Sequence, residues 1–143
     1  MATFKDYLEN NSLLILHGAL GTEMEALGYD ISGKLWSAKY LLEKSEVIQE
    51  LHETYVAAGA DLITTSSYQA TLPGLVEAGL TEKAAEQIIA LTVRLAKAAR
   101  DKVWGALDET EKAKRPYPLI SGDVGPYAAY LANGSEYLSL IHI

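Results

Sequence analysis

Three short apolar runs set the strongest limit on how this chain can fold. Each is followed by a loop of small and polar residues and separated from the next by helical sequence. Residues 13–16 read as a fully buried strand, residues 61–65 as a second strand rich in β-branched side chains, and residues 117–121 as a third. Helical patterns fill the intervals. A short leading helix spans 4–8, and residues 22–27 form a helix that stops near Gly28. Ser37 caps a helix to Leu42, and residues 29–34 form a loop. Ser45 caps a helix with Val47, Ile48, Leu51, Tyr55 and Val56 on one face, ended by Gly59. Residues 71–78 form a short helix broken at Gly79. Thr81 caps the longest helix, whose stripe is Ala85, Ile88, Ile89, Thr92, Leu95, Ala96, Ala99 and Val103. Residues 105–116 read as a polar connection.

Strands that alternate with helices argue for a parallel α/β sheet with right-handed crossovers. The loops HGALGTE, SSYQAT and GDVGPY then fall on one edge of that sheet. This carboxyl edge is where open sheets and barrels of parallel strands bind ligands.

At 143 residues the chain is long enough for one domain with a real core. A net charge of −7 argues against a nucleic-acid surface, which needs clustered Lys and Arg. Lys112, Lys114 and Arg115 do cluster, but Glu109 and Glu111 dilute them, as in a solvated linker. No run reaches the ~18 apolar residues of a membrane span. Asp6 and Glu9 precede any apolar run, so a signal peptide is not expected and a cytoplasmic location is. With no cysteine there is no disulfide and no thiolate-ligated metal within these residues.

The first loop lacks both the lysine of a Walker sequence and the three glycines of a dinucleotide fingerprint. Gly18 and Gly21 fit either a plain strand-to-helix turn or the close approach of a small ligand to the backbone. Glu23 suits a ligand ammonium or the first turn of a helix. His17 is expected to be a hydrogen-bonded structural residue, with an acid, base or ligand role as the alternative. Tyr68, in the polar stretch 64–71, and Trp36 fit a core position or a ligand wall equally. Asp123 and Tyr127 flank the rigid turn Gly125-Pro126. Neither a carboxylate pair nor a Ser-His-Asp set stands at meaningful spacing.

Taken together, HGALGTEMEALG (17–28), LWSAKYLLE (35–43), ELHETYVAAGADLITTSSYQAT (50–71) and GDVGPYAAYLANGSEY (122–137) resemble the homocysteine S-methyltransferase family. The closest subgroup uses S-methylmethionine or S-adenosylmethionine. The resemblance implies methyl transfer from a sulfonium to homocysteine sulfur, giving methionine. It places Gly18, Ala19, Thr22 and Glu23 near the amino-acid part of homocysteine. Trp36, Ser66, Ser67 and Tyr68 line the pocket, and Asp123 and Tyr127 join from the third loop. Where many relatives carry an aspartate this chain has His17, and where they often carry serine it has Asp123.

The resemblance also implies a (β/α)₈ barrel of about 250 residues or more. It implies a zinc held by three cysteine thiolates on later strands, which would lower the thiol pKa and hold the thiolate nucleophile. Residues 1–137 are therefore expected to be the N-terminal portion, about three βα units with parallel strands, of such a barrel. That portion lacks the metal site and is inactive alone. Residues 138–143, LSLIHI, break from the expected continuation after Tyr137 and match one reading frame of a sequencing-library transposon end, so an adapter-derived tail is expected. The implied partners are homocysteine and a sulfonium methyl donor, with no nucleic acid and no membrane. The alternatives are a complete small α/β binding module without catalysis, a betaine- or folate-dependent relative, and a degenerate relative serving as an interaction surface.

Overall fold

The computed structural model describes residues 4–10, 13–33, 35–131 and 133–134. Residues 138–143, and with them the expected tail, lie outside the described residues. The elements run α1 (Phe4–Asn10), α2 (Leu20–Ala26), a 3₁₀ turn (Trp36–Lys39), α3 (Tyr40–Glu43), α4 (Ser45–Ala57) and β1 (Leu62–Thr64). They continue α5 (Leu72–Glu77), α6 (Glu82–Ala106), α7 (Glu109–Lys112), β2 (Leu119–Ser121) and α8 (Tyr127–Tyr130).

The fold is mixed α/β. β1 and β2 pair in parallel, with Leu62 opposite Leu119, Ile63 opposite Ile120 and Thr64 opposite Ser121. The run at 13–16 lies on the other side of β1 and joins it through a single parallel bridge, Leu16 to Leu62. Leu62 N–H donates to Ile15 O (3.1 Å) and His17 N–H to Leu62 O (3.0 Å). All three runs therefore point the same way, as the alternation predicts. The first is not a buried strand, however. Leu13 is 72% exposed and Ile15 52%, because no described element covers the outer side of this edge.

Helix boundaries follow local chemistry. Thr71 and Thr81 cap α5 and α6, their hydroxyls accepting from Gly74 N–H (3.1 Å) and Ala84 N–H (3.2 Å). α2 ends at Gly28, whose φ of 84° suits a left-handed terminator and lets Tyr29 N–H reach Met24 O (2.9 Å). Two expected caps are absent. The residue before α4 is Lys44, and Ser37 lies inside the 3₁₀ turn without capping anything. α3 runs almost directly into α4 with only Lys44 between them, which puts Ser45 inside the first turn rather than before it. The expected polar connection contains the end of α6 and the short α7, closed by an Asp108–Glu111 capping box.

The stripe on α6 buries Ala85, Thr92, Leu95, Ala96 and Ala99, and this helix packs against α4. One apolar cluster, with Met24, Ile48, Leu51 and Leu75 at its heart, lies among the helices. A second joins Val56, Ala60 and Ala96 to Ile63 on the sheet, with Ile120 packed beside it. Burying Ile48, Ile63 and Leu75 removes each of these side chains from water almost completely, roughly 1.5–3 kcal/mol apiece. This core fixes β1 and β2, and so the loops that leave their carboxyl ends.

Candidate functional site

The three loops meet because each is anchored to its strand and packed against its neighbours. His17 is held by its backbone bond to Leu62, which brings its ring to the end of β1. There Nε2 lies 2.7 Å from Thr64 Oγ1. The ring also packs against Tyr55 (centroids 5.2 Å apart) and edge-on to His52 (6.3 Å), both on α4. Tyr55 OH donates to Ala19 O at 3.2 Å.

The glycines here serve close approach. A Cβ on Gly18 would lie 2.9 Å from Tyr55 Cε1, and one on Gly21 would lie 2.7 Å from Trp36 Cη2. A Cβ on Gly125 would overlap the Tyr68 carbonyl oxygen. Trp36 itself holds a φ of 47°, a conformation bulky residues avoid at a cost on the order of 1–3 kcal/mol.

The second and third loops are tied by hydroxyls. Thr65 N–H donates to Ser121 O (2.9 Å), Asp123 N–H donates to Thr65 Oγ1 (2.9 Å), and Ser67 Oγ donates to Asp123 O (2.5 Å). Thr65 Oγ1 and Ser67 Oγ are themselves 2.7 Å apart. The backbone of Asp123 is thus held on both its N–H and its C=O.

These loops enclose a cavity of about 280 Å³ at the carboxyl ends of the strands. Of the residues singled out from sequence, Gly18, Ala19, Trp36, Ser66, Tyr68 and Asp123 line it. Ser67 stands behind the wall in the hydroxyl network. Thr22 and Glu23 lie on α2 and Tyr127 on α8, outside the lining. His17, Leu20, Gly21, Ser37, Thr64 and Thr65 complete the wall. Tyr55 supports it from α4; its place in the apolar stripe of that helix hid its hydroxyl's role. A larger cavity, about 460 Å³, opens between Leu35, Gln69, Gly74 and Leu131, and among the described residues Glu77 is its one titratable side chain.

Electrostatics in the smaller cavity are set by burial. Burial pushes the His17 imidazole below its ordinary value of 6.5, opposed by the Gly18 backbone and by Asp123. Its Nδ1 is buried and makes no hydrogen bond of normal geometry, although the Gly18 backbone lies close enough to favour the protonated ring. His52 is fully buried with neither ring nitrogen hydrogen-bonded, and burial drives it down to about 4, with a smaller push from His17. Burial raises the Asp123 carboxyl, and His17 partly offsets this. The Ser66 hydroxyl is buried and makes no hydrogen bond.

No group of three or more His, Cys, Asp or Glu among the described residues can hold a metal ion, and the sequence contains no cysteine. The residues present do not fit the zinc that the resemblance implies. No helix among the described residues is long and apolar enough to cross a membrane.

Residues 14–143 match the family model for homocysteine S-methyltransferase. The chain belongs to the homocysteine S-methyltransferase family. It is 44% identical over 137 residues to the homocysteine S-methyltransferase YbgG of Bacillus subtilis, covering 96% of this chain and 43% of that protein. It is 42% identical over 123 residues to homocysteine S-methyltransferase 1 of Zea mays, covering 86% of this chain and 38% of that protein. The metallated form of the homocysteine methyltransferase MmuM from Escherichia coli superposes with a TM-score of 0.77 at 42% identity, over 96% of this chain and 46% of that one. The chain thus spans less than half the length of the homocysteine S-methyltransferases it matches.

Proposed function

We propose that this chain is the substrate-side, N-terminal portion of a (β/α)₈ barrel enzyme, with residues 1–137 supplying about three βα units. The reaction we assign to the whole protein is methyl transfer from S-methylmethionine or S-adenosylmethionine to the sulfur of homocysteine, yielding methionine. The observation that carries the reading is the convergence of HGALGTE, SSYQAT and GDVGPY on one cavity at the carboxyl ends of parallel strands. Family membership and the likeness to MmuM support it.

Displacement at a methyl carbon needs the attacking sulfur, the methyl and the leaving sulfur in line, so the protein's task is alignment rather than proton transfer at carbon. The wall built here can hold the amino-acid end of homocysteine. Trp36 and Tyr68 line the same cavity, and an aromatic face turned toward a sulfonium cation favours it by roughly 0.5–2 kcal/mol. Zinc has no ligand set here, so no step is assigned to it within this chain. By the same reading Thr22, Glu23, Ser67 and Tyr127 belong to the pocket's surroundings, the 143-residue chain is inactive alone, and the enzyme works in the cytoplasm.

The test is methionine formation by the protein expressed from the complete reading frame, supplied with homocysteine and one donor at a time. Product from S-methylmethionine or S-adenosylmethionine supports the assignment. Product only from betaine or a methyl-folate would move it to another donor class, and none from any donor would favour the non-catalytic binding module.

A further inference from the structure

The network that grips Asp123 uses only its backbone. Its N–H and C=O are held by Thr65 and Ser67, while its carboxylate lines the cavity and makes no hydrogen bond or ion pair among the described residues. A carboxylate fixed this way does not stabilise the loop through its charge, so its charge is available to a ligand. Ser66 also lines this cavity; the residue is more than nine-tenths buried, and its hydroxyl, shielded from solvent, makes no hydrogen bond. A buried hydroxyl left unbonded is destabilising, and a ligand acceptor would relieve that. His17 completes the set, one ring nitrogen bound to Thr64 and the other without a well-formed partner.

An acceptor-only anion, a buried donor and a neutral imidazole around one small cavity match the head of a zwitterionic α-amino acid. We propose that the Asp123 carboxylate binds the substrate's α-ammonium, that the Ser66 hydroxyl donates to its carboxylate, and that His17 beside them makes this recognition pH-dependent. The proposal rests on the homocysteine reading and names the groups that would hold the amino-acid head.

The groups that face His17 are Asp123 from the loop after β2, Thr64 at the end of β1, and His52 and Tyr55 from α4. Glu23 on α2 acts at one remove, through Tyr55. At neutral pH the buried ring is uncharged and Asp123 is the cavity's anion. Because burial lowers the ring's pKa, only acidification below the ordinary imidazole range puts a cation next to Asp123, where it competes with the incoming ammonium. Affinity therefore falls on the acid side, and a neutral, hydrogen-bonding replacement of His17 removes that fall.

Calorimetric titration of the protein from the complete reading frame tests this, with homocysteine and with 4-mercaptobutanoate, which lacks the ammonium. Asp123→Asn is expected to weaken homocysteine about tenfold or more and to leave 4-mercaptobutanoate unchanged. Ser66→Ala is expected to weaken both. His17→Gln is expected to flatten the loss of homocysteine affinity as the pH falls from 7. Homocysteine binding equally well to wild type and Asp123→Asn would overturn the proposal and leave the homocysteine reading standing. Failure of folded wild type, checked by circular dichroism, to bind homocysteine at all would overturn both.

Discussion

His17 Nε2 and Thr64 Oγ1, 2.7 Å apart, tie the first loop to the end of β1. This bond is the one side-chain link described between those two strand ends. Thr64→Val removes it while keeping the β-branched shape and leaves a half-buried imidazole nitrogen unbonded. Urea unfolding should show a loss of about 1 kcal/mol. An unchanged midpoint would mean the contact holds nothing in place.

Gly21 is buried under the Trp36 indole, with no room for a methyl group. Alanine is the better helix former by about 1 kcal/mol, so propensity alone predicts stabilisation by Gly21→Ala. The clash at 2.7 Å reverses the sign and moves the ring. The expected result is a red shift and altered quenching of tryptophan fluorescence together with lower stability. Higher stability with unchanged fluorescence would refute this.

His52 gives the fold an acid sensitivity whose sign is fixed. Its folded value, about 4, lies below the ordinary 6.5, so the unfolded chain takes up the proton first as pH falls. The stability it permits is complete above pH 6.5 and is lost between 6.5 and 4, in all on the order of 3 kcal/mol. Because neither ring nitrogen is hydrogen-bonded, His52→Leu should cost little at pH 7 and remove most of that slope. Denaturant titrations of both proteins at pH 4.5 and pH 7 would decide it.

The helical half of the molecule was legible in the sequence because its causes are local. The stripe on α6, its Thr81 cap and the Gly28 terminator all follow from spacing and residue type. α7 departs from this: residues 105–116 read as a polar connection, although Asp108 and Glu111 carry a capping-box pattern. Burial of residues 13–16 was not legible, because it depends on what packs over that edge from elsewhere. The cavity was legible as three loops on one edge. Thr64 and Thr65 fit a strand end as well as the polar stretch that follows it, and Tyr55 fits an apolar stripe, because only tertiary contact turns their hydroxyls toward the loops.

The exposed apolar row at the same edge carries its own consequence. Leu13, Ile15 and Leu16 are each more than half exposed beside a strand edge, and Val124 is 90% exposed on the third loop. Such surfaces associate. The 143-residue polypeptide should sediment as oligomers at micromolar concentration, and Ile15→Lys should shift it toward monomer. A wild-type monomer that unfolds cooperatively in calorimetry would contradict this.

The loops after the three parallel runs should form the homocysteine-binding wall. A crystal structure of the protein from the complete reading frame, grown with homocysteine, tests it most directly. The amino-acid head of homocysteine is expected in the cavity between Gly18, Ser66 and Asp123, with the thiol pointing away from β1 and β2. Homocysteine ordered elsewhere, with that cavity filled by side chains or solvent, would contradict it.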